Sequence, residues 1–264
     1  MNNMEKRMLQ ILKELKNEYN ILAVKAEFEA EGSRTDELIK LNEVVFRADM
    51  DMYIKIGGCE AVRDLDQCRI LGAKGIMAPM IETHFAMSKF IGAISKVYTK
   101  EEQDEMYYIF NAETITCFNN FDDILASRDI SMMHSVAVGR VDFTGSLGYG
   151  RDMINSDEIT KYTRIMLEKS RAKGIMAGIG GGISPESIQV LHSLGDVVEK
   201  FETRKIVFSY DKDLNIEKGL TLAMEFELLY LKNKASMYQY MASEDLVRID
   251  MMEKRFAIMQ EKIK

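Results

Sequence analysis

Short apolar runs alternate with amphipathic stretches along most of the chain, and that alternation limits the fold to a parallel sheet wrapped by helices. Ile21-Leu-Ala-Val-Lys-Ala reads as a strand, after a helix from Glu5 to Tyr19 whose Met8, Leu12, Leu15 and Tyr19 recur at helical spacing. Ser33 is placed to cap a helix running through Val45, with Leu38, Leu41 and Val45 on one side. Strands follow at Tyr53-Ile-Lys-Ile, at Gly75 to Ile81, at Tyr107, at Val136, at Ile175 to Ile179 and at Arg204 to Tyr210. Between them fall helices at Cys59 to Leu71, Phe85 to Tyr98 and Asp157 to Arg171, a capping box at Thr99 to Glu102, and the helix start Ser184-Pro185. A glycine-rich loop, Gly145 to Gly150, is expected after the strand at Val136, and two long helices after Tyr210.

One internal echo supports a repeated unit. Ala73-Lys-Gly-Ile-Met-Ala78 recurs as Ala172-Lys-Gly-Ile-Met-Ala177, where a helix is expected to end, glycine to turn the chain and a strand to begin. A closed (β/α)8-type barrel suits 264 residues better than an open sheet. Only seven strands stand out, so the first strand of the barrel is expected to be missing or atypical. Residues 1–232 would form the catalytic barrel and 233–264 a C-terminal helical extension. In the extension Ile249, Met252, Phe256, Met259 and Ile263 recur at spacings of three and four, a seam suited to the chain's own barrel or to a neighbouring subunit.

Composition excludes several functions. No run approaches the roughly 20 apolar residues of a membrane span, and the first residues lead into an amphipathic helix, so a cytoplasmic protein is expected. A net charge of −7 without a basic cluster argues against a nucleic-acid or anionic-membrane surface. Cys59, Cys68 and Cys117 lack metal-ligand spacing and read as reduced, buried thiols. Gly178-Ile-Gly-Gly-Gly-Ile-Ser-Pro lacks the spacing of a nucleotide loop and is left as a tight turn or an anion-contacting loop.

The remaining candidates are polar residues at strand ends, where such barrels carry their chemistry. Glu27, Glu29, Lys55, Glu82, Glu113 and Asp142 all fall there. Side chains alternate along a strand, which puts Asn111 on the side of Glu113, Arg140 on that of Asp142, and Lys25, Glu27 and Glu29 together toward the barrel axis. Two carboxylates at successive strand ends can seat a hard divalent cation. A buried Lys55 needs a carboxylate partner, with Glu27 or a substrate carboxylate as candidates.

Gly139-Arg-Val-Asp-Phe-Thr-Gly-Ser-Leu-Gly148, Asn111-Ala-Glu-Thr114 and Gly72-Ala-Lys-Gly-Ile-Met-Ala-Pro-Met80 resemble the HpcH/HpaI aldolase and citrate lyase beta-subunit family of phosphoenolpyruvate/pyruvate-type barrels. The resemblance runs in order from about Leu22 to Tyr210. It implies that Glu113 and Asp142 ligate Mg²⁺ or Mn²⁺, that a small 2-oxo acid is the substrate, and that the chain works as a homo-oligomer, a trimer or hexamer. Gly139, Arg140 and Glu82 would contact substrate, and Asn111 would orient it or a water.

Two departures matter. Lys55 stands where the family has an arginine, supplying charge without a two-pronged donor. Phe28-Glu-Ala-Glu-Gly32 replaces a Gly-Glu-His segment, so the acid/base histidine is absent. Glu27, Glu29 or Glu31 would have to steer protons, because His134 begins a strand, His192 lies in a late helix and only His84 is near a strand end. The leading expectation is a metal-dependent carbon–carbon lyase or aldolase with Lys55 as electrophile. The alternatives are an acyl-thioester lyase of citrate lyase type, or a barrel that binds a metabolite without turnover.

Overall fold

The computed structural model describes residues 1–128 and 130–263, and the side chains of all of these except 240, 241, 244, 245 and 255–263. Eight strands, β1 (Ile21–Glu27), β2 (Asp51–Lys55), β3 (Gly75–Ala78), β4 (Tyr107–Ala112), β5 (Ser135–Gly139), β6 (Met176–Gly180), β7 (Lys200–Glu202) and β8 (Ile206–Ser209), close into a barrel in chain order. The helices are α1 (Asn3–Glu18), α2 (Thr35–Arg47), α3 (Val62–Ile70), α4 (His84–Val97), α5 (Lys100–Asp104), α6 (Ile115–Asn119), α7 (Phe121–Leu125), α8 (Arg140–Ser146), α9 (Asp157–Ala172), α10 (Ile188–Ser193) and α11 (Ile216–Ile263).

The first strand is present; the one the sequence hides is β7. It has only three residues, Lys-Phe-Glu, whose two charged side chains face inward, so no apolar alternation marks it. β1 through β7 pair in parallel, but β8 runs antiparallel to both β7 and β1. The final pair is therefore a hairpin whose turn, Thr203 to Lys205, lies at the end of the barrel where the other strands terminate. This departs from an all-parallel barrel.

Local chemistry explains most element boundaries. Asn2 and Glu5 cap α1 reciprocally: Glu5 N–H donates to Asn2 Oδ1 at 2.9 Å and Asn2 N–H to Glu5 Oε2 at 2.8 Å. Thr99 and Glu102 do the same at the start of α5. Ser33 does not cap α2. Its hydroxyl turns toward Glu31, the helix begins one residue later, and Glu37 accepts from the Arg34 N–H at 3.1 Å. Pro185 opens a 3-10 turn, Pro185–Ser187, before α10. The six-residue echo is not an echo of structure. Gly174 turns the chain at φ +74°, whereas Gly75 is already in β3 and Gly72 makes the corresponding turn at φ +66°. After β5 comes α8, which takes in Gly145 and Ser146; the expected glycine-rich loop is confined to Leu147–Gly150, before a short 3-10 turn, Arg151–Met153. The two expected C-terminal helices are one continuous helix, α11.

The core has two compartments. Between barrel and helices lie Val24, Ile54, Ile76, Phe110, Val138, Ile179 and Phe208 among others, facing apolar ridges such as Met8, Leu12 and Leu15 of α1. Inside the barrel a smaller cluster, Ala23, Tyr53, Met77, Ile109, Ala137 and Val207, fills the lower half. The Tyr53 ring stacks on Tyr107 at 5.3 Å. Gly75 makes room for it, since a Cβ there would come within 2.3 Å of the ring. Above this apolar plug the interior turns charged. Among the described residues no helix is long and apolar enough to cross a membrane. Cys59, Cys68 and Cys117 are free thiols, and burial pushes the pKa of both Cys68 and Cys117 up.

Candidate active site

At the carboxyl ends of the strands a cavity of about 520 Å³ opens into the barrel. Its β1 wall carries Lys25 and Glu27, both nearly buried, as the strand alternation requires. Glu29 follows in the loop after β1, Lys55 ends β2, and Asn111 and Glu113 come from the end of β4. Glu202 and Arg204 are supplied by the hairpin of β7 and β8, and Asp142 by the first turn of α8.

A set of ion pairs braces the mouth. Lys25 Nζ lies 3.0 Å from Glu202 Oε1, Arg204 is 3.4 Å from Glu27, and Lys205 is 2.5 Å from Glu31. Lys55 Nζ bridges Glu29 at 2.8 Å and Glu113 at 3.5 Å, so its partners are these two and not Glu27. Burial alone would lower the pKa of Lys55, but Glu113 and Glu29 outweigh it and hold the ammonium above the ordinary lysine value.

Glu113 is the most enclosed carboxylate of the site. Its Oε1 accepts the Met80 N–H at 3.0 Å, and its Oε2 accepts Asn111 Nδ2 at 3.0 Å. Burial pushes its pKa up, the charge of Asp142 adds to the rise, and Lys55, Asn111 and the Met80 amide oppose it. Asn111 Oδ1 is buried without a hydrogen-bond partner. Gly139 is needed here because a Cβ would sit 2.6 Å from Glu113 Oε2.

Not every expected residue joins the cavity. Arg140 begins α8, so the strand parity that paired it with Asp142 does not apply. Its guanidinium is fully buried and turned away, donating to Asn155 Oδ1 at 2.9 Å and Gly181 O at 3.2 Å, and burial lowers its pKa to about 10. There it ties α8 to the loop after β6. Glu82 stands outside the cavity lining and accepts from Thr114 Oγ1 at 2.6 Å. Gly139 lines the cavity, as do Gly181 and Gly182, both with left-handed backbone. No histidine lines it: His84 is exposed at the start of α4, and His134 accepts the Tyr108 N–H low in the barrel.

Sequence reasoning missed Glu202, Lys200, Arg151 and the contribution of α11, whose Met224 and Glu227 reach the cavity rim. The one available signal was the charged pair flanking Phe201. Lys200 is wholly enclosed below Glu202, its Nζ has no partner, and burial lowers its pKa to about 8. Among the described residues no group of three or more His, Cys, Asp or Glu side chains is placed to hold a metal. Glu113 and Asp142 would be a pair of protein ligands.

Carboxylates and a lysine thus gather at the strand ends of a closed eight-stranded barrel. Residues 48–179 match the HpcH/HpaI aldolase/citrate lyase family, and the protein belongs to that family. No curated protein matches it in sequence. Similar solved structures include an HpcH/HpaI aldolase from Desulfitobacterium hafniense DCB-2, at TM-score 0.60 and 14% identity over 76% of this chain and 82% of that one. An HpcH/HpaI aldolase/citrate lyase family protein from Burkholderia cenocepacia J2315 gives 0.55 and 14%, over 68% and 77%. The citrate synthase SbnG gives 0.58 and 17%, over 87% and 90%. At these identities the likeness is one of fold.

Proposed function

We propose that this protein is a divalent-metal-dependent carbon–carbon lyase or aldolase acting on a small 2-oxo acid. The observation that carries the reading is the environment of Glu113: a carboxylate 1% exposed, beside Asp142, with an orphaned amide oxygen on Asn111 and an ammonium on Lys55. A buried carboxylate whose protonation is favoured both by burial and by a second carboxylate is relieved by a cation. The donors are hard oxygens, which suit Mg²⁺ or Mn²⁺, and the ion would be held by Glu113 and Asp142 with Asn111 Oδ1 facing it. Bound there, it would supply Lewis acidity to the substrate carbonyl.

The residues of the chain do the rest. Lys55, held charged by Glu29 and Glu113, places its ammonium at the carbonyl oxygen where negative charge develops. Asn111, tied to Glu113 through Nδ2, leaves Oδ1 to orient substrate or water. The loop Gly180 to Ser184 closes the far wall. Activity in a homo-oligomer, a trimer or hexamer, belongs to the same proposal.

Oxaloacetate tests the reading, because its decarboxylation passes through the same enolate as aldol cleavage. The purified protein with Mg²⁺ or Mn²⁺ is expected to release pyruvate from it, and EDTA to stop the release. Glu113→Gln is expected to lose the activity while keeping the wild-type circular dichroism. Release indifferent to EDTA, or a fully active Glu113→Gln protein, would remove the metal assignment.

A further inference from the structure

The reaction proposed above needs a group that accepts a proton, and the mouth of this barrel has no histidine to do it. Five glutamates on the strands and the loops after them are candidates. Glu29 and Glu113 share Lys55, Glu31 is held by Lys205, and Glu27 is joined to Arg204. Glu202 differs. Lys25 holds its Oε1, while its Oε2 is buried and has no hydrogen-bond partner. A buried carboxylate oxygen without a donor costs free energy and calls for an explanation.

The surroundings of Glu202 are built to keep it charged. Lys25 faces it from β1, Lys55 from β2 and Lys200 from its own strand. From β6 nothing faces it but backbone: Gly180 has no side chain, and a Cβ there would lie 3.0 Å from Glu202 Cγ. β8 sets Val207 opposite it in the ladder. Burial by itself would raise the pKa of Glu202, and the lysines outweigh it. The side chain reaches the cavity from β7, around the barrel from Glu113 on β4.

Resting on the aldolase reading, we infer that Glu202 is the acid/base residue of the site, with Lys25 positioning it. In the cleavage direction the substrate hydroxyl gives its proton to the Glu202 carboxylate, which lines the cavity, as the carbon–carbon bond breaks. The aldehyde forms from the hydroxyl-bearing carbon, and the bonding pair passes into the enolate of the 2-oxo acid. The protonated Glu202 then returns its proton to the enolate carbon, which restores the carboxylate. No oxidant or co-reactant is required.

Two partial reactions separate this role from a structural one. Exchange of pyruvate methyl protons in D₂O, followed by NMR with Mg²⁺ present, needs a base. Decarboxylation of oxaloacetate breaks its bond without one. Glu202→Gln is expected to slow exchange by about 100-fold or more beyond any slowing of decarboxylation. Equal losses in both reactions, or undiminished exchange, overturns the assignment. Wild-type protein that performs neither reaction removes the aldolase reading itself, a different failure from the first. Should Glu202→Gln not fold, Lys200→Met supplies the second measurement. With one cation gone the acid limb of the exchange-rate profile is expected to move to higher pH, and an unmoved limb counts against Glu202.

Discussion

Lysines inside a barrel are costly, and two buried ones here, Lys55 and Lys200, meet the cost differently. Lys55 has carboxylates on two sides and a pKa above its ordinary value, so its charge is secure at any pH where the protein works. Lys55→Met is expected to cut turnover by roughly 10²–10³-fold, the usual effect of removing one electrostatic donor, with little loss of metal affinity by calorimetry. Lys200 has no partner, and burial brings its pKa down to about 8. A folded pKa below the unfolded value of about 10.5 means that the unfolded chain binds more protons between those limits. The cost of charging Lys200 is therefore present in full below pH 8 and is relieved as pH rises toward 10.5. Urea unfolding of wild-type protein and Lys200→Met should show it: the wild type gains stability relative to the variant across that window, on the order of 3 kcal/mol in total. A constant difference between the two curves would mean that Lys200 keeps its ordinary pKa in the folded protein. Glu113, Lys55 and Glu27 were legible in the sequence because each ends or closes a strand long enough to show its alternation. Glu202 was not, since a strand of three residues has no period to read.

Elements with a strong apolar rhythm were recovered to within a few residues, and α1, α4 and α9 are examples. What failed was direction and punctuation. Nothing in Arg204 to Tyr210 says that β8 runs against its neighbours; that follows from a turn too short for a crossover helix, which the unseen β7 concealed. The stretch through Asp142 was read as the end of a strand, yet α8 begins at Arg140, whose buried guanidinium ties the helix to Asn155 and Gly181. Glycines make a sharper test of how strands and plug fit together. Gly75→Ala forces a methyl group into the Tyr53 ring and is expected to destabilise by about 1–3 kcal/mol. Gly92→Ala, in α4 with nothing within 4 Å, is expected to stabilise by up to about 1 kcal/mol. Thermal melts that rank the two variants the other way would contradict the packing of β3 against β2.

At the scale of the whole molecule α11 poses the question of what the barrel is built to meet. Its 48 residues span about 72 Å, far longer than one face of a barrel. The first part packs inward through Leu220, Ala223, Phe226 and Tyr230, runs beside α1 with Arg7 joined to Glu225 at 2.7 Å, and reaches Asn2 through Asn233. Another face stays open: Met224, Leu228, Leu231, Leu246, Val247, Ile249 and Met252 are all exposed. Ile249 and Met252 belong to the seam expected from sequence, while the side chains of Phe256, Met259 and Ile263 lie outside the described residues. Large apolar side chains left in water each forgo about 1.5–3 kcal/mol of burial, so a helix carrying several of them calls for a partner surface. Because Met224 and Glu227 also line the cavity, a neighbouring subunit seated on this face would reach the rim of the site. Truncation before Ser243 keeps every inward contact named above and removes only the projecting part. The truncated protein is expected to fall to a smaller species in light scattering, to retain the circular dichroism of the barrel, and to bind pyruvate with Mg²⁺ more weakly. Ile249→Asp with Met252→Asp should shift the mass in the same direction without shortening the chain. A full-length protein that is already monomeric, or a truncation that leaves both mass and affinity unchanged, would mean that α11 serves its own barrel alone.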